Sequence, residues 1–473
     1  MTARRNERRL AVAAAMAALL GVVVGATPLA AGRPAPAKAS LDAPIDDTIR
    51  EVVKSLEASY VEPVPLDRYA LFALDALADV EPCLGRKGEG AALTLSCAER
   101  SLRVAWPPKS SDDVIKLVSG ALRLVDGARA PKHDTVKAVC RALARAAGDP
   151  FTAYLPPELV AAITTSKPAL FSAGPGIEVW PRDPTKIREV RRRSDAAANG
   201  IAAGDRIAAI DGQPTAGLTL PEITTKLQGA DDSVVALQLK TPTGERTVRV
   251  GRSLFADSEL VIKELDGGVI YVRVPVFKAG TARAVAQALW DGRPSGVILD
   301  LRHNGGGLVP EGIALADLFI GDGVVAGVRG RGGRVTEEYA ARRDAKEIAA
   351  PLVVLVDGSS ASASELVSMA LKESRRARLL GAQTAGKGSV QFQIQLPDGG
   401  VLKVTTGYYV GPEGRRLPEN GLEPHRFLSQ PSSRTVLDGA DPKKDGWVQA
   451  ALDELRGHKN GDGLVRAPTG PEP

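Results

Sequence analysis

The spacing of apolar positions changes several times along this chain. Residues 10–31 form one apolar run behind Arg4, Arg5, Arg8 and Arg9. Apolar residues then return at helical spacing, as Ile49, Val52, Val53 and Leu56 in IDDTIREVVKSLEASYVEPV, and again in YALFALDALADV and DDVIKLVSGALRLV. Residues 41–165 are therefore expected to be mostly helical, with a Gly/Lys-rich interruption near 85–90. From Phe171 the pattern shortens to strands and turns, with GIEVW, VVALQLK, RTVRVG and the alternating IAAGDRIAAIDGQPT. Over 254–430 three longer segments stand out. GVILDLRHNGGGLVPEG predicts a buried strand ending in a glycine loop. PLVVLVDGSSASASELVSMALKESRRARLL predicts a buried strand, a turn and a helix. GAQTAGKGSVQFQIQLPDGG predicts a loop and a strictly alternating strand. Strands interleaved with helices imply an α/β core. Within 431–473, GWVQAALDELRG adds an amphipathic helix before a tail too poor in apolar residues to fold.

Composition sharpens this picture in two places. With 473 residues, 44% hydrophobic and 25% charged, the chain has the balance of a soluble globular protein. Its net charge of +5 invites a nucleic-acid reading, but residues 1–40 alone hold six basic residues and one acid, Glu7. The remainder balances to zero, and the basic run at 186–193 is broken by Ile187 and Val190, as on one solvated strand face. No nucleic-acid partner is expected. The arginines, the apolar run and the small residues at 24–26 and 30–31 predict export to the periplasm or cell envelope by a cleaved signal peptide. An uncleaved membrane anchor is the alternative, since the run is long enough to span a bilayer; a flexible linker follows at 32–40. In an oxidising compartment Cys83 and Cys97 can close a loop of about 15 residues, worth roughly 3 kcal/mol. Two buried free thiols remain the other reading, and Cys140 reads as core. Four His and three Cys make a zinc site an unpromising expectation and leave few residues for a His-based triad.

Candidate chemistry lies in the last two of the three long segments. Ser362-Ala363-Ser364-Glu365 is a capping-box pattern, so Ser362 reads first as a helix cap and Ser359, Ser360 and Ser364 as turn residues. A serine between a buried strand and a helix N-terminus also meets unpaired N–H groups and the positive end of the helix dipole, which an oxyanion needs. In KGSVQFQIQL, Lys387, Ser389, Gln391, Gln393 and Gln395 fall on one strand face, with Val390, Phe392, Ile394 and Leu396 on the other. Gln391 can accept from the Lys387 amine and orient its lone pair. A lysine pKa of about 10.4 must fall by roughly 3 units for work as a base near neutrality. Burial without an acidic partner supplies such a drop, and no carboxylate lies on this strand face. The bland alternative is a solvated lysine on an exposed polar face. Asp300 and Arg302 read as an ion pair holding the glycine loop, with a direct substrate contact as the alternative. His303 offers a Ser–His pairing, disfavoured because Lys387 fills the base's role, and His425 in the GLEPH turn reads as structural.

Two resemblances join these fragments. FSAGPGIEV, AANGIAAGDRIAAIDG and PEITTKLQG resemble the carboxylate-binding loop, middle and groove helix of a PDZ domain of the kind found in exported bacterial proteases, over about 171–253. The N–H groups of Gly174, Gly176 and Ile177, around Pro175, would then converge on a peptide carboxylate while the peptide adds as a strand beside 177–179. Taken alone, GPG reads as a hairpin turn or a weak phosphate loop. DLRHNGGG, GSSASASE and GKGSVQ, followed by TTGYYVGPEGRRLPENGLEP, resemble the carboxy-terminal processing peptidases (tail-specific proteases), serine proteases with a Ser–Lys pair. YVEPV and DPFTAYL extend the likeness to about 45–430. It implies Ser362 as nucleophile, Lys387 as general base, Gln391 as the residue orienting the lysine, and an oxyanion hole made by Ala363 and Gly306. It also implies a ββα-spiral (crotonase/ClpP-like) core, no metal or organic cofactor, and protein or peptide substrates with exposed C-termini. An activating adaptor protein is a candidate partner, and the membrane is met only through an uncleaved leader. Gly305 stands where the family usually has Pro, and 83–132 looks longer than the family's helical region. A non-catalytic PDZ adaptor of the cell envelope is one rival reading, disfavoured by the Ser362, Lys387 and Gln391 set; a crotonase-type acyl-transfer enzyme is another, disfavoured by the PDZ segment and the serine–lysine pair.

Overall fold

A computed structural model describes residues 45–125, 132–165, 173–191, 194–230, 232–253, 259–342, 347–429 and 441–458. The expected leader, its linker and the C-terminal tail lie outside these residues. The described chain divides into two compact units, one of Phe255–Val390 with Gly407–Pro473, the other of the residues before Phe255 with Gln391–Thr406.

The second of these units opens with α1 (Ile45–Ser59) and α2 (Leu66–Val80), and Ile49, Val52, Val53 and Leu56 are buried as their spacing predicts. The next stretch corrects the helical expectation. β1 (Gly85–Glu89), β2 (Ala92–Cys97) and β3 (Arg100–Ala105) form an antiparallel three-stranded sheet. Leu93, Leu95 and Cys97 alternate inward on β2, and a Cys83–Cys97 disulfide ties its last residue to the segment just before β1. Gly and Lys are poor strand formers, so GRKGE reads as a loop until β2 pairs with it. Leu102 of β3 lies over Gly120 of α3 (Ser111–Val125), where a Cβ would meet its Cδ2 at 2.6 Å. α4 (Lys132–Arg145) buries the free Cys140. β4 (Ala153–Leu155) then pairs antiparallel with residues 401–403, and α5 (Pro157–Thr165) follows.

The PDZ-like stretch is built from β5 (Ile177–Trp180), β6 (Asp183–Val190), α6 (Asp195–Ala198), β7 (Arg206–Ile210), β8 (Gln213–Pro214), α7 (Leu220–Leu227), β9 (Val234–Thr241) and β10 (Gly244–Gly251). Its strands order as β10-β9-β7-β6-β5, with β8 on β7. Ile187, Ile207, Ile210, Ile223, Leu237 and Leu239 share its core. Arg141 of α4 binds Glu222 of α7 through Nε and one terminal nitrogen, at 2.8 and 2.5 Å.

The other unit carries a six-stranded sheet. Its elements are β11 (Val261–Leu265), β12 (Val269–Arg273), α8 (Thr281–Gly292), β13 (Gly296–Asp300), α9 (Val309–Asp317), β14 (Val324–Gly330), β15 (Val335–Ala340), β16 (Leu352–Val356), α10 (Ala363–Glu373) and β17 (Ala377–Gly381). β18 (Ser389–Gln395) and β19 (Val401–Val410) straddle the division, before β20 (Arg426–Phe427) and α11 (Gly446–His458). The sheet runs β11-β12-β13-β16-β17-β20 and is parallel from β12 onward. Every residue of β12, β13 and β16 is buried, as parallel strands covered on both faces require. Val297, Leu299, Leu352 and Val354 face the core that holds Leu366 and Val367 of α10. Ile298, Val353 and Leu355 face Trp447, Val448 and Leu452 of α11.

Candidate active site

The site is assembled where β13 and β16 end. β13 runs into Leu301-Arg302-His303-Asn304 and three glycines, and the expected Asp300–Arg302 pair holds that exit. Arg302 binds both oxygens of Asp300, at 2.9 and 2.5 Å, with both side chains almost wholly buried. Tyr271 donates to Asp300 at 2.7 Å, while Asp445 and the Trp447 ring meet the guanidinium from α11's start. Burial opposes the charged carboxylate, but the Arg302 charge and hydrogen bonds hold the Asp300 pKa below its ordinary value.

Asn304 organises the glycine loop. Its amide donates to Val274 O at 2.7 Å, its Oδ1 accepts from Gly306 N–H at 2.8 Å, and its C=O accepts from Ala361 N–H and Ser364 Oγ. The glycine loop and the serine turn are thereby fastened to each other. A Cβ on Gly306 would meet Ser362 Cβ at 2.9 Å, and its φ of +110° favours glycine. Gly306 therefore lies against Ser362, but its N–H is engaged by Asn304 and is not offered to an oxyanion as the resemblance implies. Ala363 opens α10, where the first N–H groups of a helix have no intrahelical acceptor. Gly305 is exposed with open space around it, so nothing packs against the place where the family has Pro.

Ser362 does not have the backbone of an ordinary cap. Its φ of 57° and ψ of −117° lie far from the extended conformation of ordinary N-caps. A non-glycine residue in a sharp strand-to-helix turn is how a nucleophilic hydroxyl is pushed clear of its neighbours. Across the turn, His303 Nε2 lies 3.1 Å from Asp357 Oδ2, and its backbone N–H donates to the same carboxylate. His425 accepts from Leu379 N–H through Nδ1 at 2.9 Å, and burial pushes its pKa down, as befits the structural role expected.

Glu365 is the residue the sequence shows only in part. The capping-box pattern anticipates its bond from Ser362 N–H, 2.9 Å to Oε2. The same Oε2 accepts the Lys387 N–H at 2.8 Å, while Oε1 accepts from Thr384 Oγ1 at 2.6 Å and Gly386 N–H at 2.7 Å. One fully buried carboxylate thus fixes the backbone of both Ser362 and Lys387. Gly386 completes the loop, since a Cβ there would meet Glu419 O, of the PENGLEP stretch, at 2.0 Å. Burial lowers the Lys387 pKa from the ordinary lysine value, and the Glu365 charge pulls the other way. Burial in turn raises Glu365, against the hydrogen bonds it accepts. The expectation that Lys387 has no acidic neighbour is therefore corrected. Strand alternation accounts only for β18's own residues, and the carboxylate comes from α10.

Four residues beyond Lys387, Gln391 is 4% exposed, whereas Phe392 beside it is 59% exposed. The polar side of β18 is thus not a solvated face at this position, contrary to the bland alternative. Gln391 Nε2 donates to Thr405 Oγ1 at 3.3 Å.

The PDZ residues lie in the other unit. Gly174 is paired in both directions with Ser253, so its N–H is not offered to a ligand as expected. Gly176 has φ +80°, and its C=O accepts from Arg191 N–H at 2.7 Å. That makes Gly176 and Arg191 a hydrogen-bonded pair, so the next pair, Ile177 and Val190, turns its N–H and C=O groups away from the ladder. β5 is the last strand of its sheet, and Ile177 therefore presents its backbone to an open edge, with Pro175 and Gly176 leading into it.

Comparison with known proteins agrees with this geometry. The description of peptidase family S41 matches residues 268–426, and a PDZ domain matches 186–241. A carboxy-terminal-processing protease of Bartonella bacilliformis is 31% identical over 325 residues, spanning 66% of this chain and 72% of that protein. A carboxyl-terminal-processing protease of Picosynechococcus is 34% identical over 318 residues, spanning 65% and 76%. Among solved structures, the photosystem II D1 C-terminal processing protease shares the fold, with a TM-score of 0.60 at 24% identity over 81% of this chain and 93% of that one. The chain belongs to peptidase family S41, among the carboxyl-terminal-processing proteases, and is a serine-type peptidase carrying a PDZ domain.

Proposed function

We propose that this chain is an exported endopeptidase that captures the C-terminal tail of a protein along its PDZ edge and cuts within the tethered chain through a Ser–Lys acyl-enzyme. The observation that carries the reading is the Glu365 carboxylate, whose single Oε2 holds the N–H groups of both Ser362 and Lys387. A structural cap has no need of the second bond.

In this mechanism the Ser362 Oγ attacks the scissile carbonyl while the neutral Lys387 amine takes its proton. The depressed pKa of Lys387 makes the neutral amine available. The tetrahedral oxyanion is received by Ala363 N–H at the helix's positive end, joined by Gly306 N–H once it leaves Asn304 Oδ1. Collapse breaks the C–N bond, and the Lys387 ammonium gives its proton to the departing amine. Water then attacks the acyl-enzyme, with Lys387 again taking the proton, and Ser362 is restored. The core around these groups is taken as the ββα-spiral of the crotonase/ClpP-like proteins.

Export is supported by the N-terminal arginines and apolar run, and by the Cys83–Cys97 disulfide, which suits an oxidising compartment. Tail capture is tested with a quenched fluorogenic peptide ending in an apolar residue, prepared with a free and with an amidated C-terminus. The free acid is expected to be cut with at least tenfold higher kcat/KM, the worth of a charge-assisted carboxylate contact of about 1.4 kcal/mol or more. Equal rates would remove the carboxylate from recognition. Binding of both peptides with no cleavage of either would favour the adaptor reading.

A further inference from the structure

DPFTAYL, in the helical N-terminal region, carries no step of the proposed Ser–Lys chemistry. Its first residue, Asp149, sits at one end of a hydrogen-bond chain that finishes on Gln391. Asp149 Oδ1 accepts from Phe151 N–H at 2.8 Å, from Thr152 N–H at 2.9 Å and from Thr405 Oγ1 at 3.0 Å, while Oδ2 accepts from Thr152 Oγ1 at 2.7 Å. Thr405 N–H donates to Thr152 Oγ1 at 3.1 Å, and Thr405 Oγ1 receives Gln391 Nε2 at 3.3 Å. Thr405 and Thr152 are 0% and 2% exposed, so water does not compete for these bonds.

The direction of this chain follows from what each group can do. An ionised carboxylate only accepts, and a threonine hydroxyl has a single proton to give. With its proton committed to Asp149, Thr405 Oγ1 has only a lone pair to offer on its other side. The group that meets it must donate, so Gln391 places its NH2 there and turns its carbonyl oxygen the other way. Were the amide reversed, two acceptors would face each other in a buried site, which is costly.

We propose that Asp149 and Thr405 are positioning residues that fix the Gln391 side-chain amide in one flip, with its NH2 on Thr405 and its oxygen kept as the acceptor for the lysine-orienting role that the family resemblance implies. The inference rests on the Ser–Lys reading above. An amide oxygen accepts an amine hydrogen and so leaves the amine's lone pair available as a base. An amide NH2 would instead donate to that lone pair and withdraw the base from use. The DPFT turn would thus act on catalysis without touching substrate, through two side chains.

The test compares Thr405→Val, which keeps the shape and removes the hydroxyl, with Thr405→Ser, which keeps the hydroxyl. Each is made in the wild-type and Gln391→Ala backgrounds and assayed on the quenched peptide, with thermal melts to confirm folding. Thr405→Val is expected to lower kcat about tenfold at unchanged KM, Thr405→Ser to stay within about twofold of wild type, and Thr405→Val to cost nothing further once Gln391 is Ala. Wild-type kcat in Thr405→Val, or an undiminished loss in the Gln391→Ala background, overturns the proposal. Should Thr405→Val fail to fold, Asp149→Asn in the same two backgrounds answers the same question, since it weakens the acceptor that commits the Thr405 proton. Ser362→Ala and Lys387→Ala run alongside; if either cuts at the wild-type rate, the Ser–Lys reading itself is what fails.

Discussion

At the scale of single residues, the site turns on a conflict between burial and charge. In the proposed mechanism Lys387 must be neutral to serve as a base, and burial drives it that way, yet Glu365, which positions its backbone, favours the ammonium. Positioning the base therefore costs some of its basic form. Removing the charge by Glu365→Gln takes away the pull that raises the Lys387 pKa, so the acidic limb of the kcat/KM–pH profile is expected to move to lower pH, even as the rate falls with the lost hydrogen bonds. A limb that stays in place would show that the Glu365 carboxyl is already neutral in the working enzyme. The sequence made Ser362, Lys387 and Gln391 visible as candidates because motif and alternation are local properties. It did not reveal that Gly306 gives its N–H to Asn304, or that Glu365 reaches Lys387. Those contacts join residues of different elements, and no periodicity records them.

At the scale of elements, the buried strands β13 and β16 and the helix α10 were legible because their apolar runs and capping pattern need nothing from elsewhere to be recognised. The β1–β3 sheet was not, since GRKGE carries no strand signal of its own and depends on β2 and the disulfide. The Asp300–Arg302 pair shows the opposite case, a local pattern with a cost that only the structure exposes. Both residues are buried, so Arg302→Met leaves Asp300 charged without its partner and is expected to lower unfolding free energy by about 3–5 kcal/mol in urea titrations at neutral pH. The sign with pH follows from the lowered Asp300 pKa. The pair's contribution is present above the unfolded carboxyl value of about 3.9 and is lost as pH falls through the lower folded value, so the gap between wild type and variant should narrow in acid. A variant as stable as wild type at neutral pH would mean that the pair does not hold the β13 exit.

At the scale of the whole chain, the net charge of +5 belongs to its first 40 residues, and the remainder is neutral. Basicity therefore marks the route out of the cytoplasm in the proposed function, and not a ligand of the folded part. In the same proposal the open edge of β5 holds the tail, and the Ser362 turn with its Glu365-tethered lysine cuts the chain attached to it. The rate of cleavage of an unfolded protein with an apolar C-terminus, measured for wild type, Ser362→Ala and Lys387→Ala under the same conditions, tests this account most directly. Cleavage by wild type, lost in both variants while their melting curves and peptide binding stay at wild-type values, is the predicted result. Undiminished cleavage by either variant would contradict it.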